Sequence, residues 1–257
     1  MINNVQLISL YTITRREVGR MFRIATQVFL PPIITTTLYF IIFGKLIGSR
    51  VGTVNGVSYM EFIVPGLIMM SVITNSYTNV ATSLFSIRFQ KNIEEILISP
   101  THDWIILLGF CLGGIIRGCL VALLVFFVSR YFVSLDYHSL SLTMFVVVIV
   151  SGLFALAGYT NAMVARTFDD VALVPTFVLT PLTYLGGVFY TMSMLSPFWQ
   201  KVSAFNPIFY MINAFRYAMI GYDEVNFQLC ITVIILTIVG LTALNFYFMK
   251  KGLGLRE

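Results

Sequence analysis

Long apolar runs separated by short polar stretches organise this chain. Six runs read as membrane spans: about Thr26–Gly48, Glu61–Leu84, Trp104–Ser129, Leu140–Val164, Ala172–Tyr190 and Gln228–Met249. Each has the length, about 20 residues, that crosses roughly 30 Å of hydrocarbon as a helix. The stretch 191–220 is also apolar, but Pro197 and Asn206-Pro207 break it into pieces too short to cross. Helical pieces dipping in from one face fit it better, because irregular backbone inside lipid has to be shielded by protein. The pattern predicts an all-α membrane protein with six transmembrane helices. It reads as a single domain over 1–257, with a helix over 1–25, a bundle over 26–249 and a tail over 250–257.

Two polar stretches have amphipathic spacing. In the first, Leu7, Tyr11, Val18, Met21 and Ala25 share one helical stripe, and Ser9, Thr12, Arg16, Arg20 and Arg23 share another. That spacing predicts an interfacial helix, lying in the membrane surface with its arginines toward anionic headgroups. In the second, residues 88–99, one face holds Phe89, Ile93, Ile96 and Leu97 and the other Arg88, Lys91, Asn92 and Glu95, and Pro100 ends the run. A connection alone can be much shorter. Glu94 and Glu95 are also ill placed beside anionic lipid, so this helix is expected to dock into a cytoplasmic partner.

Composition agrees with the pattern. Hydrophobic residues make up 58% of the 257 and charged residues 11%. Soluble domains carry about 25% charged residues, so this chain cannot cover a globule with polar surface. The net charge of +5 would raise the question of nucleic acid in a soluble protein. Here the basic residues lie mostly between apolar runs and act as orientation signals, so no nucleic-acid partner is expected. With the N-terminus in the cytoplasm, inside segments hold ten Lys and Arg and outside segments five (Lys45, Arg50, Arg130, Lys201 and Arg216). That bias places both termini inside. The first 26 residues carry five charges and no apolar core, so the first span is expected to act as the insertion signal. Cys111, Cys119 and Cys230 lie in apolar runs without metal-ligand spacing.

Candidate chemistry within the spans is sparse. Ser71, Asn75, Thr78 and Thr82 form a polar stripe on span two, flanked by Thr74 and Asn79. Interhelical hydrogen bonding and the lining of a translocation path both explain such a stripe. Gly109, Gly113, Gly114 and Gly118 on span three are spaced for close helix packing. Pro175, Pro181 and Gly186-Gly187 shape span five. After span four, Thr167 or Asp169 can cap the next helix, and Asp170 lies four residues from Arg166. Arg117 stands inside span three, where no carboxylate is expected at its depth. Its open partners are carbonyls at the kinks of span five, amides such as Asn75 or Asn161, a substrate anion, or the headgroups it reaches by snorkelling. No phosphate-cradling Gly-x-x-x-x-Gly-Lys-Ser/Thr loop, no Gly-x-Ser-x-Gly and no His-Glu-x-x-His is present. The acidic residues read as loop or span-end residues, which disfavours an ion-coupled carrier.

The segment 174–190, from Val174 to Tyr190, with Asn206-Pro-Ile-Phe-Tyr210 and Arg216, resembles the C-terminal hallmark of ABC-2 type transporter permeases. Phe62-Ile-Val-Pro-Gly-Leu-Ile-Met-Met70 and the loop 88–99 resemble it as well. The closest likeness is to short bacterial inner-membrane permeases whose ATPase is a separate chain. The resemblance implies a multi-pass subunit of an exporter without an ATPase site or cofactor of its own. ATP and Mg would be bound by two copies of a partner ATPase, and the permease would pair with a second copy of itself in the lipid. Loop 88–99 would be the coupling helix, with Arg88, Lys91, Glu94 and Glu95 at the contact. The pieces of 191–220 would be re-entrant helices on the outer face. Asn75, Thr78, Thr82, Arg117 and Tyr184 are the candidates for the substrate pathway. Substrates in the family include polysaccharides, lipid-linked glycans and amphiphilic drugs. An ion-coupled secondary transporter and a non-transporting assembly protein are the alternatives.

The orientation is directly testable. A reporter active only in the cytoplasm should work when fused after Glu257 and be silent when inserted in the 134–139 loop. The reverse pattern would overturn the topology.

Overall fold

The computed structural model describes residues 4–48, 52–54, 56–134 and 137–252. Arg50, Arg256 and Glu257, and the side chains of Lys45, Ile96 and Leu97, lie outside this description. Helix α1 (Asn4–Arg23) leads into α2 (Ala25–Tyr39), which continues as a π-helical stretch over Phe40–Ile47. Ile24 departs from helical geometry, yet hydrogen bonds from Ile24 N to Arg20 O and from Val28 N to Ile24 O carry the rod across it. A hairpin of β1 (Thr53–Val54) and β2 (Val57–Ser58) follows, which the apolar pattern does not reveal. Ser58 then starts α3 (Tyr59–Phe89) with a capping box: its hydroxyl accepts from Glu61 N and its own N–H donates to the Glu61 carboxylate. Glu61 is thus a cap inside the first turn of a 31-residue helix.

A turn leads to the short α4 (Ile93–Ile98), then to α5 (Asp103–Phe132) and α6 (Leu140–Val164). The predicted continuous helix over 88–99 is broken at Lys91, whose φ of 60° is left-handed, because α3 overruns to Phe89 and the chain must reverse there. After α6, Thr167 is the cap. Asp170 accepts the backbone N–H groups of Arg166 and Thr167 (2.9 and 3.0 Å), in place of the expected pairing with the Arg166 side chain. Helix α7 (Phe168–Leu173) passes through a π-helical turn (Val174–Leu179) into α8 (Thr180–Tyr184). This run starts earlier and ends earlier than the expected 172–190, because the Thr167 cap opens it and Gly187, at φ 78°, reverses the chain beyond it. A 3-10 turn (Met192–Met194), α9 (Pro197–Phe205), α10 (Pro207–Ile220) and α11 (Phe227–Lys251) complete the chain.

Five helical segments among the described residues are long and apolar enough to cross a membrane: Ala25–Gly44, Tyr59–Phe89, Asp103–Phe132, Leu140–Val164 and Phe227–Lys251. The chain is an all-α membrane protein with one small hairpin. The Phe168–Tyr184 run stands where the remaining expected span was read.

Helix α3 is central, packed against α5, α6 and α10. Glycines permit the closest approaches. A Cβ on Gly109 would meet Ile13 at 2.7 Å, and one on Gly113 would meet Glu17 at 2.6 Å, both on α1. A Cβ on Gly114 would meet Ala155 of α6 and Val80 of α3 at 2.9 Å. The span-three glycines therefore serve packing on two sides of α5. Ser9 meets Thr101 at 3.0 Å near one end of α5, and Phe40 stacks on Phe132 at 5.2 Å at the other. The α1–α2 rod therefore runs beside α5 in the same direction for its whole length.

That placement moves two residues of the expected stripes, Met21 and Arg20, into the protein. The buried face of α1 is Gln6, Ile13, Glu17 and Met21, a seam against the bundle. Leu7 and Tyr11, with Ile8 and Phe22, point away from the protein, and Arg20 turns inward instead of toward headgroups.

Gly158 lies against the backbone of α3 at Tyr77 and Ala81, which cannot move aside. Gly158→Leu should destabilise the bundle by about 1–3 kcal/mol. Gly240→Ala, with nothing within 4 Å, should be neutral or stabilising. Thermal unfolding of the two variants in one detergent checks the contrast.

Candidate functional site

The site is built around the one strip of α3 that the chain leaves open. Most of α3 is buried, but Thr74 and Thr82 are exposed and Thr78 is half-buried between them. Each hydroxyl donates to the carbonyl four residues earlier, at 3.0, 2.8 and 2.6 Å for Thr74, Thr78 and Thr82. The strip can therefore stand in an apolar setting and still offer hydroxyl lone pairs.

Asn75 and Asn79 turn inward from this strip and hold charges. Asn75 donates its amide to Ser71 O at 3.0 Å, which leaves its oxygen as an acceptor. That oxygen accepts from Arg117 Nε at 3.3 Å and Nη2 at 3.0 Å. The Asn79 side-chain oxygen accepts from Arg117 Nη1 at 3.4 Å and from Arg20 Nη2 at 2.8 Å. Arg20 also reaches Glu17 at 3.1 Å, and Glu17 accepts from the Ser83 hydroxyl at 2.7 Å. Arg16 lies 3.6 Å from the same carboxylate. A charged chain thus runs from Ser83 through Glu17, Arg20, Asn79 and Arg117 to Asn75. Asn79 and Asn75 are ten and fourteen residues from the end of α3 at Phe89, so the chain climbs to about 15–21 Å from that end at 1.5 Å per residue.

Glu17 corrects the reading that every acidic residue sits in a loop or at a span end. It is 1% exposed, locked between α1, α3 and α5. The signal for it in the sequence was a matched spacing: Ile13 and Glu17 repeat every four residues, as do the glycines Gly109 and Gly113 that receive them. Isolated arginine at mid-span costs about 2.5–3.5 kcal/mol. The two asparagine oxygens offset part of that cost for Arg117. Of its other expected partners, Asn161 is engaged elsewhere, donating to Val171 O at 3.2 Å.

Arg117 and Asn75 open onto a cavity of about 350 Å³ between α2, α3 and Thr180. Its polar lining comes from Gln27, Thr35, Ser71 and Thr74, and its apolar lining from Pro31, Pro32, Leu67 and Met70. Tyr39 also lines it, and the Tyr39 and Tyr184 hydroxyls meet at 2.7 Å. Phe189 stacks on Phe43 at 4.3 Å beside them, making an aromatic cover. Tyr184 therefore belongs to the cover and not to the lining, while Thr78 and Thr82 continue the open strip away from the cavity.

The remaining candidates separate. The Arg88 guanidinium donates to the Ala162 and Ala165 carbonyls and ties the end of α3 to the end of α6, so it faces the bundle. Lys91, Glu94 and Glu95 are exposed, and Ile93 anchors their short helix with 5% exposure. Arg216, counted as a loop charge from the sequence, is fully buried on α10. It donates to Gly187 O at 2.7 Å, lies 3.9 Å over the Phe62 ring and is 3.8 Å from Glu224. Among the described residues no three His, Cys, Asp or Glu side chains gather as a metal site.

The sequence is similar to those of known proteins. The family description "ABC-2 type transporter" matches residues 8–220, which include the charged chain, the cavity and Arg216. The sequence is 50% identical over 250 residues to the inner membrane transport permease YadH of Escherichia coli K12, covering 97% of this chain and 98% of that one. It is 26% identical over 187 residues to nodulation protein J of Neorhizobium galegae, covering 72% and 71% of the two chains.

Removing one member of a buried charge cluster leaves its partners unpaired, at a cost of about 3–5 kcal/mol. Glu17→Ala should destabilise the protein on that scale. Glu17→Ala combined with Arg20→Ala should cost clearly less than the two single changes added together. A double-mutant cycle by thermal or denaturant unfolding reads that coupling.

Proposed function

The chain belongs to the ABC-2 type transporter family as one of its transport permeases, and on that premise we propose that it is the transmembrane subunit of an ATP-driven exporter. Two copies would form the pathway, and two copies of a separate ATPase would bind ATP and Mg beneath them. Its place would be the bacterial inner membrane, with both termini cytoplasmic. The substrate would be amphiphilic, lipid-linked or a glycan. The Phe168–Tyr184 run would complete a set of six spans, and α9 and α10 would be the re-entrant pieces on the outer face.

The observation that carries this reading is the open strip of Thr74, Thr78 and Thr82 on a helix otherwise enclosed by its own chain. Lipid-facing strips are apolar, and polar groups at this depth face protein or a wet cavity. A second copy facing the strip across a pathway supplies both. The ATPase would drive the change through α4, whose exposed Glu94 and Glu95 suit a basic groove and whose Ile93 fixes it to the bundle. Because Arg88 ties α3 to α6, movement of α4 would be passed to both helices at once. The exported molecule would pass the Tyr39–Tyr184 cover, which would have to part.

Affinity-tagged chain purified from its own membranes should carry an ATPase subunit and hydrolyse ATP. Glu94→Lys with Glu95→Lys should reduce the retained ATPase about tenfold or more while membrane insertion stays normal. Parent chain that brings down no nucleotide-hydrolysing subunit would sink the exporter reading. Full retention by the double variant would instead move the docking surface off α4.

A further inference from the structure

The charges around the cavity do not balance. Arg117 lines it, with Arg20 and Arg16 behind, and among the described residues Glu17 is the one carboxylate within ion-pairing reach of any of the three and pairs with Arg16 and Arg20. Among the described residues Arg117 has no ion pair, only the Asn75 and Asn79 oxygens. A guanidinium has five N–H donors in a planar fork. The bonds of Arg117 use its Nε–H and one N–H each on Nη1 and Nη2. One N–H on each terminal nitrogen is left as a charged donor for a further oxygen acceptor. Among the described residues no carboxylate lines the cavity that Arg117 faces.

We propose that this cavity binds the anionic group, a phosphate or a carboxylate, of an amphiphilic substrate, with Arg117 as its counter-charge and Asn75 positioning the guanidinium. The proposal rests on the permease reading for the word substrate and on geometry for the rest. The Thr35 hydroxyl stands on the polar side of the cavity, where it can donate to a further oxygen of the group, whereas the Thr74 hydroxyl is already spent on Met70 O. Pro31, Pro32, Leu67 and Met70 form an apolar side. Outside the cavity rim Leu30 and Ile34 are exposed on the same helix as Thr35, so an apolar tail leaving the cavity meets an apolar surface. A free inorganic ion would use only the polar side. An amphiphile uses both.

The role of Asn75 makes the proposal separable from simple packing. Asn75→Asp is nearly isosteric and places a carboxylate where the amide oxygen now meets Arg117. It would strengthen a purely structural contact and, by supplying an internal counter-ion, would empty the site of its ligand.

The test uses the full chain in lipid nanodiscs without any ATPase, so its failure is distinct from failure of the exporter reading. With Cys111, Cys119 and Cys230 changed to Ala, Gln27→Cys, on the exposed rim of the cavity, reports the cavity through its rate of alkylation by N-ethylmaleimide. Octyl phosphate should slow that rate at least fivefold, and the neutral octyl glucoside less than twofold. In the Arg117→Gln and Asn75→Asp backgrounds the slowing by octyl phosphate should fall below twofold. Asn75→Asp keeps the test decisive if Arg117→Gln folds poorly. Equal protection by octyl glucoside, or undiminished protection in Asn75→Asp, would overturn an anion site. Inorganic phosphate protecting as well as octyl phosphate at equal concentration would overturn the amphiphile assignment.

Discussion

A carboxylate taken out of water must bring its counter-charges and hydrogen bonds with it, and the half of this bundle around the first turns of α5 is arranged around that demand at Glu17. Arg16 and Arg20 come from its own helix, Ser83 from α3, and the space comes from Gly113 of α5. Three elements are thereby fixed at one point. Gly109 beside Ile13 extends the same seam by a turn, which holds the α1–α2 rod along α5. The rod in turn forms one wall of the cavity, so the shape of the cavity follows from how one acid is accommodated.

The opposite end of the bundle meets a similar demand with other means. Arg216 is also a buried guanidinium, but it is held by the Gly187 carbonyl, the face of Phe62, Asn213 and the more distant Glu224. Gly187 can offer its carbonyl because its left-handed backbone turns the chain there. Arg216 is enclosed and joined to a carboxylate, whereas Arg117 opens on a cavity and has amide oxygens only. The first is a staple between α3, α10 and the turn after α8. The second has donors to spare.

Regular, strongly apolar segments were legible in the sequence: α6 spans the expected Leu140–Val164, and α5 and α11 differ from the expected ranges by a few residues. Hydrophobic length alone specifies such helices. What escaped depended on partners distant in the chain. Glu17 looked like part of a charged flank, because nothing local shows that glycines nearly a hundred residues on will receive it. Arg216 looked like a loop charge for the same reason. Asn75 was visible as one of several partners for Arg117, since a polar stripe and a lone cation at similar depth are both readable from spacing. The break at Lys91 was hidden by an amphipathic pattern that continues smoothly through it.

The order in which the chain is made bears on this arrangement. Glu17 and Ser83 are 66 residues apart, and Arg20 and Asn79 are 59 apart. During synthesis the α1–α2 rod is therefore made well before the helix that satisfies its carboxylate, and before the glycine seam of α5 exists. Until then Glu17 and Arg16 or Arg20 have only one another and the headgroup region. The rod can settle against α5 only once that helix has been made. Assembly of this protein is in that sense a delayed closure, in which α1 reaches its seat only after α3 and α5 exist.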